Sequence, residues 1–196
     1  MSSPSDAVIV AGARLPIGRK GGTLAEFDGV QLGALAIKAL IDNPSINALL
    51  NDEAITDVIM GNTLSHYGNP ARVAALSAGL PVSTPGLTID RQCGSGINAV
   101  TLAGKLVASD GGVFIAGGME SMTNEPFQLS RAKRAYDATP PSFLRRELST
   151  AEIGDPTMGM TAENLAEKYS ISREEQDDFA LRSQENYAKA KLQGKY

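Results

Sequence analysis

Leu87-Thr88-Ile89-Asp90-Arg91-Gln92-Cys93-Gly94-Ser95-Gly96-Ile97-Asn98 is the stretch that decides how the chain reads. Residues 87–90 have the apolar, β-branched character of a short strand. Residues 95–109 are rich in Ala, Leu and Val, and Gly96, Ala99, Ala103 and Gly104 recur at three- and four-residue spacing. That spacing predicts a helix whose small side chains permit close packing. Between strand and helix stands Cys93, the chain's one cysteine. A thiol at the start of a helix faces the positive end of the helix dipole, which favours thiolate, the nucleophilic form. The glycines around it relieve crowding and let backbone N–H groups face a reacting carbonyl, the logic of a nucleophile elbow. On the residues alone two readings stay open. Cys93 is an acyl-transfer nucleophile, or it is a buried structural cysteine, since free cysteines are among the most buried residues.

The same alternation of strand and helix extends upstream and downstream. Residues 7–13 are an apolar run ending near Gly12, as a buried strand would be, and residues 18–22 are a glycine-and-cation turn. Residues 30–41 place Val30, Leu32, Leu35, Ala36, Ala39 and Leu40 near helical period, with Asn43-Pro44 as the stop. Residues 57–61 read as a second strand. Residues 70–78 read as a helix with Pro70 in the first turn and Gly79 at its end. Residues 87–90 are the third strand and 112–118 the fourth. Strands alternating with helices predict an α/β layer structure containing parallel pairs.

Beyond about residue 119 the character changes. Residues 121–156 show no clear strand and carry a cationic set, Arg131, Lys133, Arg134, Arg145 and Arg146. Helices are predicted over 161–169 and 172–191. The second opens on a capping box, Ser172 with Glu175, and runs from acids to lysines in the sense the dipole prefers. The expected organisation is therefore an α/β domain over 1–120 carrying Cys93 and a mostly helical segment over 121–196.

Composition narrows the function classes. With 196 residues, 42% hydrophobic and 20% charged, the chain has the balance of a soluble globular protein. A net charge of -4 gives no reason to expect nucleic acid or an anionic membrane as a partner. One cysteine excludes an intrachain disulfide and His66 is the one histidine, so no Cys–His metal site is expected. A reducing, cytoplasmic setting is the expectation. Residues 1–10 lack the basic and apolar regions of a signal peptide, and no apolar run reaches transmembrane length.

Arg91-Gln92-Cys93-Gly94-Ser95-Gly96 resembles the nucleophile segment of the thiolase family. Four further segments resemble the family in order and spacing: residues 8–18, Asn69-Pro70-Ala71-Arg72, Gly117-Gly118-Met119-Glu120-Ser121-Met122-Thr123, and Met158-Gly159-Met160-Thr161-Ala162-Glu163-Asn164. The Gln-Cys-Gly-Ser-Gly form is unlike that of ketoacyl synthases, which share the fold. The resemblance covers essentially the whole chain. It implies a thiolase-like layered α/β fold, its N-terminal half followed by part of the loop domain that meets CoA in the family. It also implies Cys93 as catalytic nucleophile, with its N–H in an oxyanion hole and acyl-CoA as substrate. Degradation would be thiolysis of a 3-ketoacyl-CoA, as in fatty acid metabolism; synthesis would be condensation of acetyl-CoA. No cofactor other than CoA substrates, no metal and a homo-oligomer, dimer or tetramer, are implied. Thr157 and Met158 fall on the acyl-CoA side. Biosynthetic members often have histidine where Thr157 stands, which argues against that subtype.

Three segments the family uses elsewhere are not found in this sequence: the Gly-His-Pro base, the Cys-x-Gly-Gly-Gly second cysteine and the Asn-Glu-Ala water holder. Family chains are roughly twice this length. His66 is expected to be a polar loop residue rather than a substitute base. The competing expectation is thus a catalytically silent truncated thiolase fragment, or one half of a split enzyme completed by a separate C-terminal-half chain. The cationic set could meet CoA phosphates, though a solvated loop is the favoured reading.

Overall fold

Asp28 starts the first ordered element by capping it. Its carboxylate accepts the Gln31 N–H at 2.8 Å, and the Gln31 side chain accepts the Asp28 N–H at 2.9 Å. Helix α1, Gly29–Ile41, follows and buries Val30, Ala34 and Ile37. The computed structural model describes residues 6–50, 55–136 and 138–195. They fall in two compact units, Met1–Pro126 and Phe127–Tyr196.

Asn43-Pro44 ends α1, and Pro44 also opens a short helix that the sequence reading missed, α2, Pro44–Leu50. Proline does both because its fixed φ suits a first helical position while its ring cannot continue the helix before it. Strands β1 (Ile55–Gly61), β2 (Gly86–Ile89) and β3 (Val113–Gly118) form a three-stranded parallel sheet in the order β2-β1-β3. Helix α3, Pro70–Ser77, joins β1 to β2, and α4, Ser95–Asp110, joins β2 to β3. The chain steps outward from β1 to β2, then back across β1 to β3. Right-handed connections in opposite directions put their helices on opposite faces of a sheet.

The core shows that arrangement. Val58 and Met60 pack with Val30 and Ile37 of α1 and with Ala71, Ala74 and Ala75 of α3. Ile59, pointing the other way, packs with Ala99 and Ala103 of α4. Alternate residues of one central strand therefore anchor two helical layers. Close approach of α4 is written in glycine: a Cβ on Gly61 would lie 2.6 Å from Ser95, and one on Gly118 3.2 Å from the Gly96 Cα. Ala99 and Ala103 are buried as their spacing predicts. Gly104 is not part of this packing, since nothing lies within 4 Å of where its Cβ would stand.

The α/β class is as expected, but one predicted strand does not form. Residues 7–13 have no regular structure, and Val8, Ile9 and Val10 are exposed. An apolar run becomes a strand only where a sheet edge pairs its N–H and C=O groups. Here the sheet contains β1 to β3 and no described residue supplies that edge to 7–13.

The second unit is held by short-range features. Phe127 and Phe143 meet edge to face at 5.2 Å, beside an antiparallel bridge between Leu129 and Phe143. Helix α5, Met158–Tyr169, begins before the predicted 161 because Thr157 caps it, accepting the Met160 N–H at 3.3 Å. Helix α6, Arg173–Leu192, opens on the predicted capping box: Ser172 accepts from Glu175 N–H at 3.1 Å and Glu175 from Ser172 N–H at 2.8 Å. No described helix is long and apolar enough to cross a membrane.

Candidate active site

All three strands run in parallel, so their carboxyl ends gather along one edge of the sheet. In open parallel sheets the ligand crevice lies outside these ends, between neighbouring strands whose following helices lie on opposite faces. Here those strands are β1 and β2, followed by α3 and α4. Cys93 lies in the turn directly after β2, at this switch point, and its side chain is exposed. In this chain Cys93 is open to solvent rather than buried in the core.

The turn carrying Cys93 is tightly specified. Gln92 has φ +50°, a left-handed conformation rare outside glycine. Its N–H and its side-chain amide both donate to Asp90 Oδ1, at 3.0 and 3.3 Å. The N–H groups of Gly94 and Ser95 donate to Arg91 O and Gln92 O, each at 3.1 Å. Gly94 is the N-cap of α4 and supplies no side-chain cap. The first turn of α4 therefore has no side-chain cap, and its first N–H, that of Ser95, is satisfied by the backbone at Gln92 O.

Two residues at the same edge escaped the sequence reading. Asn62, directly after β1, is 5% exposed and ties the strand ends together. Its N–H donates to Ile89 O at 3.1 Å, and its Nδ2 donates to Met119 O and Glu120 Oε1, both at 2.9 Å. Glu120, after β3, also accepts from Thr63 N–H at 2.8 Å, Thr63 Oγ1 at 2.9 Å and Leu64 N–H at 3.3 Å. The loop leaving β1 is therefore fixed by a carboxylate on the neighbouring strand end.

His66 lies further along that loop, stacked on Tyr67 with ring centroids 4.4 Å apart. The two rings line a polar recess with Asp28, Glu120 and Asn124, and Cys93 is not among its walls. This agrees with a loop histidine. Tyr67 O–H donates to Asp28 Oδ2 at 3.0 Å, and its phenol is raised above the ordinary tyrosine range by that bond, by the Asp28 charge and by burial.

Thr157 and Met158 belong to the second unit. Thr157 is the N-cap of α5, and Met158, the first residue of α5, is exposed. Of the cationic set, Arg145 is bound to Asp155 at 3.0 Å within its own unit. Among the described residues no group of His, Cys, Asp and Glu could hold a metal ion.

The family described as "Thiolase, N-terminal domain" matches residues 7–196. The chain belongs to the thiolase family. Among similar thiolases is the "Putative acetyl-CoA C-acetyltransferase VraB" of Staphylococcus aureus strain MSSA476. It is 43% identical over 180 residues, covering 91% of this chain and 46% of that protein. The protein of the same name from Staphylococcus epidermidis strain RP62A is 43% identical over 178 residues, 90% of this chain and 45% of its own length. The thiolase chain in hand spans about half the length of these curated relatives.

Proposed function

We propose that this chain carries the acyl-accepting half of a thiolase site, with Cys93 as the nucleophile for acetyl or longer acyl groups held on CoA. The observation that carries the reading is the exposed Cys93 in a strained strand-to-helix turn at the switch point of a parallel sheet. Family membership supplies the chemistry. In thiolysis the Cys93 Sγ attacks the keto carbon of a 3-ketoacyl-CoA. The bond to the α-carbon breaks, and acetyl-CoA departs as an enolate that takes up a proton. The sulfur of free CoA then attacks the resulting thioester, releasing the shortened acyl-CoA and restoring the thiol. Splitting one difficult displacement into two is the gain from covalent catalysis. The relatives' name favours acetyl as the transferred group.

The backbone N–H of Cys93 contributes to the oxyanion hole in this reading, since those of Gly94 and Ser95 are spent on Arg91 O and Gln92 O. Thr157 and Met158 stand toward the acyl-CoA, and the active form is a homo-oligomer in the cytoplasm. Activation of the thiol and proton transfer to the enolate need a base and a second thiol. His66 is the one histidine and Cys93 the one cysteine in these 196 residues, so neither group is here. Without that base the Cys93 thiol reacts only through the thiolate fraction that the start of α4 favours, so in this reading the chain alone takes up an acyl group slowly and does not turn over.

Co-expression with the C-terminal half of a VraB relative tests the reading. Thiolysis of acetoacetyl-CoA by the complex, lost with Cys93→Ala, supports it. A complex that forms but stays inactive makes the chain a silent fragment that binds or dimerises only.

A further inference from the structure

We propose that Ser95 is the positioning residue of the Cys93 thiol. The proposal rests on reading Cys93 as the acyl acceptor and adds the residue that keeps it in place. Ser95 is 5% exposed, and its hydroxyl is used in both directions. It accepts the Arg91 N–H at 2.8 Å and donates to Gln92 O at 2.7 Å. These two backbone atoms bracket the pair of residues immediately ahead of Cys93.

Between them lies Gln92, at φ +50°. A non-glycine residue persists there only where its surroundings over-determine it. Asp90 holds the Gln92 amide from one side and Ser95 holds its carbonyl from the other. Ser95 itself is wedged against β1, where Gly61 leaves room for it: a Cβ on Gly61 would lie 2.6 Å from the Ser95 Cβ. The hydroxyl is thus fixed by the sheet and spent on the backbone, so it has no proton to offer a substrate. Without the hydroxyl, Gln92 O keeps only the longer bond from the Ser95 N–H, at 3.1 Å, and the Arg91 N–H loses its acceptor. The turn then relaxes toward an ordinary φ, and the Cys93 Sγ leaves the mouth of α4, where the helix dipole favours its thiolate.

Alkylation of the full chain by iodoacetamide, followed by intact mass, reads this one thiol, because the chain holds no other cysteine. At fixed pH, Ser95→Ala slows alkylation about fivefold or more. In a Gln92→Gly background the same change has less than about a twofold effect, since glycine takes a positive φ without strain. Equal rates for the parent chain and Ser95→Ala overturn the proposal. So does an equal loss in both backgrounds, or loss of the helical far-UV signal in Ser95→Ala, either of which assigns Ser95 to folding alone. Acetyl-CoA plays no part in this assay. Failure of the parent chain to accept an acetyl group therefore sinks the acyl-transfer reading and leaves the Ser95 result standing.

Discussion

Gln92 shows how one residue sets the geometry of the next. Glycine would take φ +50° without cost, whereas glutamine takes it here with both of its amides bound to Asp90 Oδ1. Tyr67 is the other residue with a distinct signature. Its bond to Asp28, the Asp28 charge and burial all favour the neutral phenol, so its folded value lies above its unfolded one. The stability it lends is complete below the unfolded value of about 10 and is lost as pH rises through the raised folded value. In a spectrophotometric titration of the tyrosines, Tyr67→Phe should remove a component that titrates above the ordinary tyrosine range. A variant curve that keeps that component would contradict the Asp28–Tyr67 bond.

At the scale of elements, the contact between β1 and α4 is the most demanding, because Gly61 sits against the Ser95 backbone. Gly61→Ala places a methyl 2.6 Å from two Ser95 atoms, and overpacking of this kind costs about 1–3 kcal/mol. Denaturant unfolding should show a lowered midpoint, with Cys93 less reactive toward acetyl-CoA; an unchanged midpoint would mean that α4 does not pack as described. The helices α1, α3, α4 and α6 were legible in the sequence because period, prolines and caps are local signals. Helix α2 was hidden because Pro44 ends one helix and opens the next. Residues 7–13 read as a strand and are not one, since pairing depends on a distant edge that an apolar run cannot announce. The placement of Cys93 between a strand and a helix was legible from its own segment. Asn62 and Glu120 were not, because their hydrogen bonds exist only once three parallel strands stand in register.

For the whole molecule, the apolar side chains left in solvent are the dominant physical fact. Val8, Ile9, Val10, Val82, Ile97 and Phe179 are all exposed. Val8, Ile9 and Val10 are consecutive, and contiguous exposed apolar surface marks sites of association. The 196-residue chain is expected to bind an environment-sensitive apolar dye strongly and to sediment as an oligomer. A dye-silent monomer would contradict that expectation. The central claim concerns Cys93, and intact mass before and after incubation with acetyl-CoA, with Cys93→Ala alongside, tests it most directly. The account predicts one acetyl group on the parent chain and none on the variant. A folded, full-length chain that takes up no acetyl group, or a variant that takes it up equally, would contradict it.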